Sequence, residues 1–150
     1  MMSNEVDYIL SNDKFSKKYY KGTVMADKLP QRKPVCKKYG YVVNTDPSGA
    51  PGRHWQSIFV NGNTCFFFCS LAEPPNVYIQ RFLRLFPRVI QNPVRHQSLS
   101  AITCGGYCIF IQAMMARGVR FETLCEIFIK MANDDQFIIN YLKDAYNFYI

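Results

Sequence analysis

At 150 residues, 49% hydrophobic and 15% aromatic, the chain is long enough for one hydrophobic core and too apolar to stay disordered. No apolar run approaches the ~20 residues that cross a bilayer. The N-terminal MMSNEVDYILSNDKFSKKYY has neither the apolar stretch nor the cleavage site of a signal peptide. These features predict a single domain over 1–150 that is not secreted and has no membrane partner. It would reside in a host cell, the nucleus included, or in a virus-like particle.

The formal charge of +7 is unevenly spread. Lys14, Lys17, Lys18, Lys21, Lys28, Arg32, Lys33, Lys37 and Lys38 face a single acid, Asp27, over residues 14–38. A charge run is most often a solvated face, but a one-sided run in a basic domain also suits a polyanion. DNA is therefore a second partner class, with Lys14, Lys17, Lys18, Lys21, Lys33, Lys37 and Lys38 as its contacts. Of the 6 cysteines (Cys36, Cys65, Cys69, Cys104, Cys108, Cys125), most read as small core residues. Disulfides do not persist without secretion. The spacings 65/69 and 104/108 miss the C-x2-C pairs of zinc folds, so no metal is expected.

Along the chain, Lys37–Thr45 reads as a strand, rich in Tyr and Val. The prolines and glycines of 46–53 make a loop. Trp55–Val60 and Thr64–Ser70 are strands joined by the Asn61-Gly62-Asn63 turn. Pro74-Pro75 lead into a helix over Asn76–Phe86, and Arg88–Asn92 is a short strand. After the polar stretch 95–100 comes a strong helix, Cys104–Arg117, closed by Gly118. Helices at Phe121–Met131, with Leu124, Ile127 and Phe128 as its apolar face, and at Asp135–Phe148 complete an α+β order.

Chemistry concentrates where helix 104–117 opens with TCGGYC. A cysteine there meets unpaired backbone N–H groups and the positive end of the helix dipole, which favour its thiolate. Gly105 and Gly106 each cost about 1 kcal/mol of helix propensity. Such a pair suits a backbone that another segment or a ligand approaches closely. Taken alone, Cys104 and Cys108 are better read as two core cysteines on one helical face.

Gly52-Arg53-His54-Trp55 upstream, and Gln97 seven residues before Cys104-Gly105, change that weighing. In this order they resemble the adenain family of cysteine peptidases, found in adenoviruses, large DNA transposons of the Maverick/Polinton kind and related viruses. More distantly they resemble the proteases that process ubiquitin-like proteins. Tyr20–Pro30, Asn44–Trp55 and Cys104–Gly118 extend the likeness over most of the chain. The resemblance implies a central mixed sheet packed by helices, with the nucleophile at a helix N-terminus. It also implies an endopeptidase acting on capsid-type or polyprotein precursors. Cys104 would attack as thiolate, His54 would protonate the leaving amine, and the Gln97 NH2 with the Cys104 N–H would hold the oxyanion. No cofactor is required, and DNA is the activator the family would bring.

The sequence departs from the family pattern at the third triad position. Where relatives end the strand in an acid, this chain has Cys69, and Ala72 stands for the usual Gly. A thiol is a weak acceptor and supplies no charge. Glu73 or Asp46 could substitute. A weakened dyad, a pseudoprotease that binds protein or DNA, and a metal held by Cys69, His54 and Cys104 are the other readings, the metal last.

Overall fold

The computed structural model describes residues 1–46, 54–97 and 103–150. Of the loop expected over 46–53, only Asp46 falls within them, and 98–102, which includes the end of the expected polar stretch, lies outside. The chain begins with α1 (Ser3–Asn12), which the sequence reading passed over. Its Val6, Ile9 and Leu10 are buried at i, i+3 and i+4, a narrow apolar stripe amid polar residues. Two short 3-10 turns, Ser16–Lys18 and Ala26–Lys28, flank β1 (Tyr20–Met25), also not foreseen.

Then come β2 (Lys38–Asn44), β3 (Trp55–Asn61), β4 (Thr64–Phe68), α2 (Val77–Leu83) and β5 (Arg88–Gln91). They are followed by α3 (Cys104–Ala116), α4 (Phe121–Lys130) and α5 (Asp134–Tyr146). Asn76, expected as the first residue of α2, is instead its N-cap and accepts from the Ile79 N–H at 3.0 Å. The expected β4 ends two residues early, which leaves Cys69 and Ser70 just beyond the strand.

The five strands stand in chain order, β1-β2-β3-β4-β5. The two outer pairings are parallel and the two inner ones antiparallel, so the sheet is mixed as expected. Strand alternation sorts the side chains into two cores. Val42, Phe59 and Phe68 face α1, α3, α4 and α5, whereas Tyr41, Val43, Ile58, Val60 and Phe67 face α2. On α4 the buried residues are Phe121, Leu124, Cys125 and Phe128. Ile127, expected on that face, is exposed because it lies one residue, or ~100°, around the helix from Phe128.

Helix α3 is buried on nearly every side, which accounts for its apolar sequence all round. Its one buried polar side chain, Gln112, ties it to the sheet. The amide nitrogen lies 2.8 Å from the Ile58 carbonyl, 2.9 Å from the Ser57 hydroxyl and 3.2 Å from the Tyr41 carbonyl. Its oxygen lies 2.0 Å from where a Cβ on Gly40 would stand, so a side chain there would push the Gln112 amide off these bonds. Gly118, with φ +88°, closes the helix as expected.

A buried carboxylate joins the far ends of three helices. Arg117 forks onto Asp13 at 2.8 and 2.9 Å, the Tyr146 hydroxyl donates to it at 3.0 Å, and the Ser16 N–H donates at 3.0 Å. Burial would raise the Asp13 pKa. The Arg117 guanidinium and the other donors outweigh burial and hold it well below the ordinary carboxylate range. A carboxylate held low in the folded state stabilises the fold above its unfolded pKa and loses that contribution as pH falls. Acid unfolding of the wild type should therefore steepen below about pH 4. In Asp13→Asn, stability measured by urea titration should be lower at neutral pH and should fall less on acidification.

Candidate active site

His54 immediately precedes β3, and its carbonyl accepts from the Thr45 N–H at 3.0 Å, which extends the β2–β3 pairing by one rung. The imidazole is 8% exposed, and its Nε2 stands 3.3 Å from the Cys69 sulfur. The residue in the acid position is thus the one in contact with the histidine. Burial lowers the His54 pKa, and Glu73 opposes this only through space. Of the two acids considered as substitutes, Glu73 therefore acts at a distance, and the contact partner is a thiol.

Cys69 is held with care for a residue at a strand end. Its N–H donates to Asn92 Oδ1 at 2.9 Å, and Asn92 Nδ2 donates back to the Cys69 carbonyl at 2.7 Å. Burial raises the thiol's pKa, while the Gln56 side chain and the Glu73 and Leu71 N–H groups pull it down. These N–H donors make the pocket around the sulfur an acceptor's environment. The turn that brings them in places Ala72, which stands where the resemblance implies glycine, at φ +54°. An L-residue in this region costs roughly 1–2 kcal/mol. Ala72→Gly should raise the stability measured by denaturant titration by about 0.5–1 kcal/mol, the difference being glycine's greater freedom when unfolded.

Gln97 is fixed from the same turn. The His96 and Gln97 N–H groups both donate to the Ser70 carbonyl, at 2.7 and 3.0 Å. The Ser70 hydroxyl donates to Gln97 Oε1. That bond commits the oxygen end of the amide and directs the NH2 end away from Ser70. Gln97 is buried, as an exposed polar loop residue would not be.

Cys104 is the first residue of α3 and is 9% exposed. The helix places its backbone N–H among those with no intrahelical acceptor. Trp55 brings the two halves of the site together. Its ring Cδ1 lies 3.4 Å from where a Cβ on Gly105 would stand, so the residue after His54 abuts the residue after Cys104. Cys108, one turn on, is completely buried; burial, then Cys104 and Cys69, push its pKa well up. Among the described residues no group of three or more His, Cys, Asp or Glu could hold a metal ion.

The fold matches that of the ASFV pS273R protease. That crystal structure superposes with a TM-score of 0.62 at 19% identity, over 93% of this chain and 64% of the other. A selenomethionine form of the same protease gives a TM-score of 0.50 at 26% identity, over 73% and 44%. The chain therefore spans less than two thirds of that protease's length. No family model matches the sequence, and no curated protein does.

Both glycines of the TCGGYC motif serve close approach of other segments, one of the two uses expected of them. A Cβ on Gly105 would meet Met1 Cβ and Sδ at 3.1 and 3.2 Å, and one on Gly106 would meet Ile138 and Leu142 of α5 at 2.6 and 2.9 Å. Met1 also accepts from the Trp55 indole at 3.1 Å through its carbonyl. Asn92, Ser70 and Met1 escaped the sequence reading. Asn92 carried a signal, an amide side chain just where a strand ends.

Proposed function

We propose that this chain is a cysteine endopeptidase, with Cys104 as nucleophile, His54 as its general base and acid, and Gln97 with the Cys104 N–H as oxyanion donors. The observation that supports this reading is the abutment of Trp55, the residue after His54, on Gly105, the residue after Cys104. His54 spends Nε2 on Cys69, leaving Nδ1 for the proton shared with the nucleophile. Cys104 would attack the scissile carbonyl, His54 would protonate the leaving amine, and a water activated by the same imidazole would release the acyl group. Protein precursors of the polyprotein or capsid type, in viruses or Maverick/Polinton-like elements, are the substrates this reading assigns.

Alkylation tests it directly. Iodoacetamide at neutral pH should modify Cys104 faster than buried Cys65, Cys69, Cys108 and Cys125, and His54→Ala should remove the excess over a model thiol. Exposed Cys36 serves as the internal standard. Equal rates at Cys36 and Cys104, with no cleavage of a peptide library, would sink the proposal.

A second reading is favoured by one observation. His54 contacts a neutral thiol rather than a carboxylate, and burial works against its charged form. A chain so placed would act as a pseudoprotease that binds protein or DNA. Lys14, Lys17, Lys18, Lys21, Lys33 and Lys37 are exposed and form the phosphate contacts of that reading, or of DNA as an activator of the enzyme. Such contacts weaken steeply with salt.

A further inference from the structure

The start of α5 grips the chain just before each of the two proposed oxyanion donors. His96, the residue before Gln97, has Nδ1 3.4 Å from Asp134 Oδ2, and its side chain is 1% exposed. Thr103, the residue before Cys104, donates its hydroxyl to Asp135 Oδ1 at 3.0 Å. The Tyr107 hydroxyl, one turn into α3, lies 2.8 Å from the same carboxylate oxygen and 3.1 Å from the His96 carbonyl. Thr103 and Tyr107 are buried, so these polar contacts have little competition from water.

Neighbouring packing makes the grip stiff. The His96 ring stacks on Phe68 at 6.0 Å, with 3° between planes, and lies 5.1 Å from Phe128. Gly106 lets Ile138 and Leu142 close directly on the first turn of α3. The carboxylates themselves sit in the first turn of α5, where the helix dipole favours negative charge.

We propose that Asp134 and Asp135 are positioning residues of the active site: one helix end fixes both donors of the oxyanion hole in mutual register. Neither carboxylate touches the reacting atoms. Asp134 acts through His96 on Gln97, and Asp135 acts through Thr103 and Tyr107 on the Cys104 N–H. An oxyanion hole requires its donors within a few tenths of an ångström of their working places, so a loosened tether reads as lost turnover rather than lost binding. This inference rests on the protease reading above.

The test uses the full chain with Asp134→Ala, Asp135→Ala and the conservative Asp135→Glu, together with Asp144→Asn as a control at an exposed position of the same helix. Activity is measured well below each variant's unfolding midpoint. Both alanine variants should lose at least tenfold in kcat with KM unchanged within twofold. Asp135→Glu should recover part of the loss, and the control should match the wild type. Variants that keep the wild-type kcat, or that lose activity only in proportion to their unfolded fraction, overturn the inference while the protease reading stands. A wild-type chain that neither cleaves peptides nor favours alkylation at Cys104 overturns the protease reading, and this inference with it.

Discussion

Replacing Cys69 with aspartate should raise kcat/KM by roughly ten- to a hundredfold. Loss of the carboxylate's role in a serine triad costs ~10^4 in turnover. A thiolate–imidazolium pair supports itself in part, so less is there to regain in a cysteine enzyme. The position is prepared for an anion, because the Gln56 side chain and the Leu71 and Glu73 N–H groups already bear on the sulfur that sits 3.3 Å from His54 Nε2. The two side chains are similar in size, so the pocket need not be rebuilt. The pH profile supplies a second readout. Burial lowers the His54 pKa in the wild type, so the charged imidazole is lost early as pH rises. A carboxylate beside it raises that pKa, and the alkaline limb of kcat/KM should move to higher pH. A variant with unchanged activity and an unchanged limb would mean that position 69 does not govern His54. Restoration from an inactive wild type would favour the pseudoprotease reading instead.

Gln97→Ala should lower kcat by about a hundredfold or more, the usual cost of one oxyanion donor. KM should change little, since the donor meets charge that develops only in the transition state. Gln97→Glu is the sharper variant. Its carboxylate can still accept from Ser70, as Gln97 Oε1 does, so the local bond survives. It has no NH2 to donate and brings negative charge toward an oxyanion, so it should be at least as damaging as alanine. Ser70→Ala should fall between these variants and the wild type, because the amide loses the bond that orients it. Equal kcat in Gln97→Ala and the wild type would remove Gln97 from the mechanism.

Much of the fold was legible because alternation and helical period are local signals. Strands β2 to β5 carry the Val, Tyr and Phe of a two-sided sheet, and α3 is apolar all round because the sheet and three helices, α1, α4 and α5, surround it. The misses have local causes too. Helix α1 buries only Val6, Ile9 and Leu10 in a polar run, and β1 is half-buried along most of its length, so its alternation is faint. At the site, His54, Cys69, Gln97 and Cys104 could be picked out because their motifs, in this order, resemble those of the adenain-type peptidases. Asn92, Ser70, Asp134 and Asp135 could not, because a hydrogen bond between residues tens of positions apart leaves no pattern along the chain.

The knot of Asp13, Arg117 and Tyr146 has a bearing on when the protein becomes competent. On the ribosome, Asp13 emerges first and Arg117 about a hundred residues later, and Tyr146 later still. Until α5 has been made, the buried carboxylate lacks one of its donors and the first turn of α3 lies open on the side of Gly106. Cys104 is therefore translated before the helix that closes on its neighbour Gly106. Closure of this end of α3 thus waits for the emergence of α5.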